Sequence, residues 1–109
     1  MATTTIVLTI KPGRKADAEA LVREVAPVLD EVYRRAGARR WLKYTHGDLW
    51  IEYIEHAGTT ERLLATVTQD PQHQRLAPRF GEVIELEPSG SDSIFANEIY
   101  RLDAYGDPR

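Results

Sequence analysis

Cysteine is missing from this chain altogether, which excludes disulfides and thiolate metal ligands and suits a reducing compartment. Basic residues do not dominate either. Fourteen Lys and Arg stand against 17 Asp and Glu, for a formal charge of −3, so nothing electrostatic points to nucleic acid or an anionic membrane as partner. No apolar run approaches the roughly 20 residues of a membrane-spanning helix. The opening Met1-Ala2-Thr3-Thr4-Thr5 lacks the basic start of a signal peptide, and residues 6–10 are too short for its apolar stretch, so the expected location is cytoplasmic. Glycine-rich phosphate loops, nucleophile elbows and dinucleotide fingerprints are absent. The three histidines, His46, His56 and His73, have no ligand spacing on one element. Neither a metal nor another cofactor is expected. With no internal repeat or linker, the 109 residues read as a single domain, 1–109, with a polar flexible tail at 103–109.

What is present is pattern. Residues 4–11 are rich in Thr, Ile and Val and read as a strand. Pro12-Gly13 is a turn. Residues 15–36 repeat apolar side chains at helical spacing, through Leu21, Val25, Val28, Leu29 and Val32. Pro27 predicts a kink or restart near Ala26. Gly37 fits the position just past the helix end. Residues 38–54 form the organising feature, a β-hairpin whose turn is expected at His46-Gly47. Alternation sorts it into two faces. Leu42, Tyr44, Leu49, Ile51 and Tyr53 make a nearly apolar face, read as core beneath the helices. Arg39, Trp41, Lys43, Trp50, Glu52 and Ile54 make the other face, read as pointing away from the helices.

After a loop at His56-Ala57-Gly58, Thr59 or Thr60 caps a second helix with Leu63, Leu64 and Val67 inward. Asp70-Pro71 stops it and restarts helix with Leu76, Phe80, Val83 and Ile84. Residues 87–92 read as a loop and 93–102 as a last strand carrying Phe95, Ile99 and Tyr100. The order β-α-β-β-α-β predicts an α+β, ferredoxin-like fold with a four-stranded antiparallel sheet. An indole-bearing face left open by the helices then calls for a ligand or a second subunit.

These residues resemble the dimeric α/β-barrel superfamily, and within it the tetracenomycin-type aromatic polyketide cyclases. The similarity lies in Gly37-Ala38-Arg39-Arg40, in the run from His46-Gly47-Asp48 through Glu55, in Thr60-Glu61-Arg62-Leu63, and in Asp70-Pro71-Gln72-His73-Gln74. Where those cyclases carry a histidine, this chain has Glu52; where they carry a third arginine, it has Trp41. Asp70-Pro71 with Gln74-Arg75, and the closing Glu98 to Leu102, also resemble L-rhamnose mutarotases. His73 resembles the helix-two histidine of plant olivetolic acid cyclase, which takes part in an aldol ring closure. The resemblance implies a homodimer and a cofactor-independent cyclase of antibiotic-type polyketides, acting on a small poly-carbonyl substrate by general acid–base catalysis. A cofactor-free monooxygenase, a sugar mutarotase and a non-catalytic binding protein on the same scaffold remain open.

The candidate catalytic residues are Glu52, His73 and Arg39. Glu52 among indoles is expected to be desolvated and raised toward the range of a general base. Its structural alternative is a cross-strand ion pair with Lys43 or Arg39. His73 titrates near neutrality. Arg39 or Lys43 would stabilise an enolate. The expected substrate-binding residues are Trp41, Lys43, Trp50, Ile54 and His46, with the tryptophans as flat walls. Their alternative is packing between subunits. His46 and His56 read otherwise as solvated.

Overall fold

Nine residues rich in threonine and branched aliphatic side chains form strand β1, Ala2–Ile10, with Thr4, Ile6, Leu8 and Ile10 buried on one face. The computed structural model describes residues 1–85 and 94–102. Helix α1, Lys15–Arg35, follows and buries Ala18, Leu21, Val25, Leu29, Val32 and Tyr33. It runs unbroken through Pro27, which lies on its exposed side. Val28, expected inward, is also largely exposed. Gly37 closes α1 at φ +103°, a conformation that costs a side-chain-bearing residue but not glycine.

Strands β2, Ala38–His46, and β3, Leu49–His56, form the hairpin. The turn is Gly47-Asp48 rather than His46-Gly47, because Gly47 takes φ +58° at the first of the two turn positions. Lys43 therefore faces Glu52, Trp41 faces Ile54 and Tyr44 faces Ile51. A bulge between Ala38 and Arg40 interrupts the pairing at Arg39. Helix α2, Thr60–Gln69, is capped by Thr59, whose hydroxyl accepts from the Arg62 amide at 3.2 Å. Helix α3, Pro71–Gly81, is capped by Asp70 through the Gln72 amide at 2.9 Å, with Pro71 in the first helical position.

Val83 and Ile84, expected at the end of that helix, lie beyond it. Ile84 opens the short strand β4, Ile84–Glu85, which pairs with Thr9 and Ile10 of β1. Of the long closing strand expected at 93–102, the described residues 94–102 form only an isolated bridge to β1. β4 takes the Thr9–Ile10 end of the β1 edge, and the closing segment is hydrogen-bonded to that edge beside Thr5 to Val7. The Val7 amide donates to the Ile94 carbonyl at 2.7 Å, the Ala96 amide to the Thr5 carbonyl at 2.9 Å, and Ile6 bridges Phe95. Ile99 and Tyr100 beyond it are exposed. The loop expected at 87–92 and the tail at 103–109 lie outside the described residues.

The sheet order is β2-β3-β1-β4 with every neighbour antiparallel, and the helices supply the cover of one face. This is the ferredoxin-like α+β arrangement, its second helical segment split at Asp70. The two faces of the hairpin are assigned the opposite way from expectation. β1 pairs Leu8 with Trp50, Ile6 with Glu52 and Thr4 with Ile54, and directly paired residues share a face. Because Ile6, Leu8 and Ile10 point to the helices, Trp50 and Ile54 do too, and both are buried in the core. The Leu42, Tyr44, Leu49, Ile51 and Tyr53 face lies on the outer side, where Tyr44 remains 53% exposed.

Candidate active site

Burying a face that carries a lysine and a glutamate demands that both be partnered. The cross-strand register sets Lys43 directly opposite Glu52, and the Lys43 ammonium donates to Glu52 Oε1 at 3.1 Å. The indole of Trp41 donates to the same oxygen at 2.9 Å, and that of Trp50 donates to Oε2 at 3.0 Å. The two rings serve both charges at once. Their electropositive N–H edges point at the carboxylate, while the Lys43 ammonium sits 4.6 and 4.7 Å from their centroids, against the electron-rich faces. Phe80 of α3 closes the cage from above, edge-on to Trp50 at 5.8 Å and 5.6 Å from the ammonium. Tyr33 of α1 backs it, stacked on Trp41 at 4.0 Å and 14°.

The electrostatics follow from that cage. Burial by itself pushes the Glu52 carboxyl up, as expected from its setting. The Lys43 charge and the donors of Trp41, Trp50 and Lys43 outweigh burial and hold it below the usual carboxylate range. Glu52 is therefore an ionised anchor, not a base poised near neutrality, which corrects the sequence expectation. Burial also pulls the Lys43 ammonium below the ordinary lysine range, opposed by Glu52. Burial drives the Tyr33 phenol far upward, aided by the Glu52 charge, so it stays protonated.

His73 projects from the first turn of α3 and is half-buried. Burial lowers it, against the pull of Glu52 and Asp70, while Lys43 adds to the lowering. It thus senses both members of the ion pair, and burial favours its neutral form. Glu52, Lys43, Trp41 and Trp50 come together beneath the helices, and His73 on α3 feels the charges of Glu52 and Lys43 without a hydrogen bond to either. Three other candidates do not join them. Arg39 is exposed at the bulge and makes no ion pair among the described residues. His46 is exposed at the end of β2, on the outer face by alternation. Ile54 is wholly buried as core.

Tyr33 and Phe80 complete the cage. Tyr33 had a legible signal, since it stands four residues beyond Leu29 on the α1 stripe. His56, expected in solvent, is wholly buried at the end of β3. Its Nδ1–H donates to the Ala57 carbonyl at 3.1 Å, which leaves Nε2 to accept from the Thr4 hydroxyl at 2.8 Å. Thr60 then donates to Thr4 at 2.6 Å. A cleft of about 220 Å³ opens beside the cage between α1 and the hairpin, with Lys43 and Trp50 in its lining. Among the described residues no cluster of His, Asp and Glu is arranged to hold a metal ion.

No family model matches the chain, and no curated protein matches it. Solved structures do. Tetracenomycin F2 cyclase from Streptomyces glaucescens, a type-II polyketide cyclase, is 18% identical with a TM-score of 0.69, over 94% of this chain and 97% of that one. L-Rhamnose mutarotase from Formosa agariphila is 12% identical with a TM-score of 0.72, over 94% and 99%. A protein assigned as an antibiotic biosynthesis monooxygenase from Chloroflexus aurantiacus is 17% identical with a TM-score of 0.50, over 85% and 99%. At these identities the likeness is one of fold.

Proposed function

We propose that the protein is a cofactor-independent cyclase that closes a ring in a small poly-carbonyl substrate by general acid–base catalysis. The observation that carries this reading is the cage itself, an ion pair of Lys43 and Glu52 at 3.1 Å held between two indoles beside an open cleft, with the half-buried His73 on α3 as the candidate base. A neutral imidazole takes an acidic proton from the carbon between two carbonyls. The Lys43 ammonium, held charged and aimed by Glu52, stabilises the enolate oxygen that results. The enolate carbon then attacks a distant carbonyl. The imidazolium returns its proton to the new alkoxide, and loss of water yields the aromatic ring. Trp41 and Trp50 keep the ammonium fixed and shielded from water. Glu52 acts through Lys43 and is a positioning residue.

Methyl 3,5,7-trioxooctanoate tests the chemistry, because aldol closure from C2, which lies between the ester and a ketone, onto the C7 carbonyl with loss of one water gives methyl 2,4-dihydroxy-6-methylbenzoate. His73→Gln is expected to lower kcat by about 10²–10⁴. Full turnover in that variant would sink the mechanism. Oxygen uptake during turnover would point instead to a monooxygenase, and accelerated anomer exchange of L-rhamnose to a mutarotase.

The outer sheet face supports a homodimer as the working form. Its Leu42, Tyr44, Leu49, Ile51 and Tyr53 are incompletely covered by this chain, and a second copy would bury them. Size-exclusion chromatography with light scattering is expected to give twice the 12.4 kDa chain mass, and Tyr44→Lys to shift it toward monomer.

A further inference from the structure

The cleft beside the cage carries a cation with no anion assigned to it. Arg23 lines the cleft from α1, with Trp50 and Lys43 on the opposite wall. Glu19, one helical turn earlier, is its expected partner on the helix surface. Glu19 is turned across the cleft instead and accepts from the Thr45 hydroxyl at 2.6 Å. The other acids of α1 are also engaged: Asp17 by Arg14, Glu24 by Arg79, Asp30 by Arg34 and Glu31 by Arg35. Arg23 makes no ion pair or hydrogen bond among the described residues, and its guanidinium fork is free. Lys43, by contrast, already has its charge matched by Glu52 at 3.1 Å. Arg23 is therefore the cation of the lining without an ion-pair partner, and Glu19, bonded only to the neutral Thr45 hydroxyl, is the acid that shares the cleft with it.

We infer that this cleft binds the carboxylate of a small planar acid, with Arg23 as the anchor and the ring directed toward Trp50 and Lys43. A guanidinium fork matches a carboxylate in bidentate geometry. The size sets the rest of the ligand. An apolar cavity of about 150 Å³ accepts benzene, so about 220 Å³ takes one ring with a carboxylate and small substituents. Anchoring the acid at Arg23 leaves the far end of the molecule at Lys43, where an enolate or phenolate oxygen would meet the ammonium. This extends the acid–base reading above and rests on it for calling the bound acid a substrate; the binding itself is measured without turnover.

Salicylate and its uncharged near-isostere salicylamide separate the charge from the shape. Titration calorimetry, with the Trp50 indole N–H resonance as the reporter of place, is run on wild type, Arg23→Gln and Arg23→Lys. Wild type is expected to bind salicylate at least about tenfold more tightly than salicylamide. Arg23→Gln abolishes that preference without changing salicylamide binding, and Arg23→Lys retains part of it. Because Arg23 is exposed, the urea midpoint of all three proteins stays the same. Equal affinity for the two probes in wild type, no binding of either, an unmoved Trp50 signal, or an undiminished preference in Arg23→Gln would each overturn the assignment. Charge-selective binding that persists in a protein with no cyclase turnover leaves the cleft assignment standing and removes the reading of its ligand as a cyclisation substrate.

Discussion

Lys43→Met takes the ammonium out of the cage and leaves a buried carboxylate with two indole donors but no counter-charge. Breaking a buried ion pair from one side costs about 3–5 kcal/mol. The two surviving N–H bonds put Lys43→Met near the lower end, about 3 kcal/mol. Glu52→Gln removes the charge from the other side. It also places an amide NH₂ against a donor, most simply the Trp50 indole, which now lacks an acceptor. An orphaned buried donor adds about 1 kcal/mol or more, so Glu52→Gln costs about 4 kcal/mol. Lys43→Met with Glu52→Gln together strands no charge, and the glutamine carbonyl still accepts from an indole. The double variant is expected to cost about 3 kcal/mol, far below the sum of the singles. Guanidinium unfolding followed by tryptophan fluorescence measures all four corners, since both tryptophans of the chain lie in the cage. Additivity within about 0.5 kcal/mol, or single-variant costs below about 1 kcal/mol, would refute the cage as a coupled buried unit.

Stability should also fall on acidification in two stages. His73 has a folded-state value below the ordinary histidine value, mainly through burial. Its contribution is complete above pH about 6.5 and is lost as pH falls below that, where the unfolded chain binds the proton more readily. Urea unfolding across pH 7.5 to 5 should slope less in His73→Gln than in wild type; equal slopes would refute the buried setting of His73. Glu52 is held low despite its burial, chiefly by the Lys43 charge, so its contribution is present above the unfolded carboxylate value of about 4.3 and disappears only as pH falls through the still lower folded one. Elsewhere, Thr4→Val preserves shape but removes the hydroxyl shared by His56 and Thr60. It is expected to cost about 1–3 kcal/mol; a cost below about 0.5 kcal/mol would mean that the Thr4 link adds nothing to the buried histidine.

Much of this molecule was legible as local pattern. The Asp70-Pro71 break, the Thr59 cap, Gly37 past the end of α1 and the grouping of the hairpin residues into two faces all follow from chemistry within a few residues of each position. The hairpin grouping survived a misplaced turn. Moving the turn from His46-Gly47 to Gly47-Asp48 changes each cross-strand partner by two residues, and a shift of two preserves which side chains share a face. The closing strand was misread because residues 93–102 have strand-like composition, while only the stretch around Phe95 is hydrogen-bonded to β1. Composition does not record how much of an edge a segment will follow.

The sequence by itself determined the elements, their order and the two stripes of the hairpin, because periodicity and turn chemistry act over one or two turns of chain. Only the tertiary structure decided which stripe went under the helices. Judged by mean polarity, a stripe with lysine and glutamate belongs outside, and one with leucine, isoleucine and tyrosine belongs inside. Pairing with β1 put the charged stripe inside instead, where Lys43 and Glu52 neutralise each other and two indoles satisfy both charges through different parts of the same rings. The same pairing turned Glu52 from an expected base into an ionised anchor. Whether a buried charge is raised or lowered depends on what stands within a few ångströms of it, and for Glu52 those neighbours are set by the cross-strand register of β2 and β3.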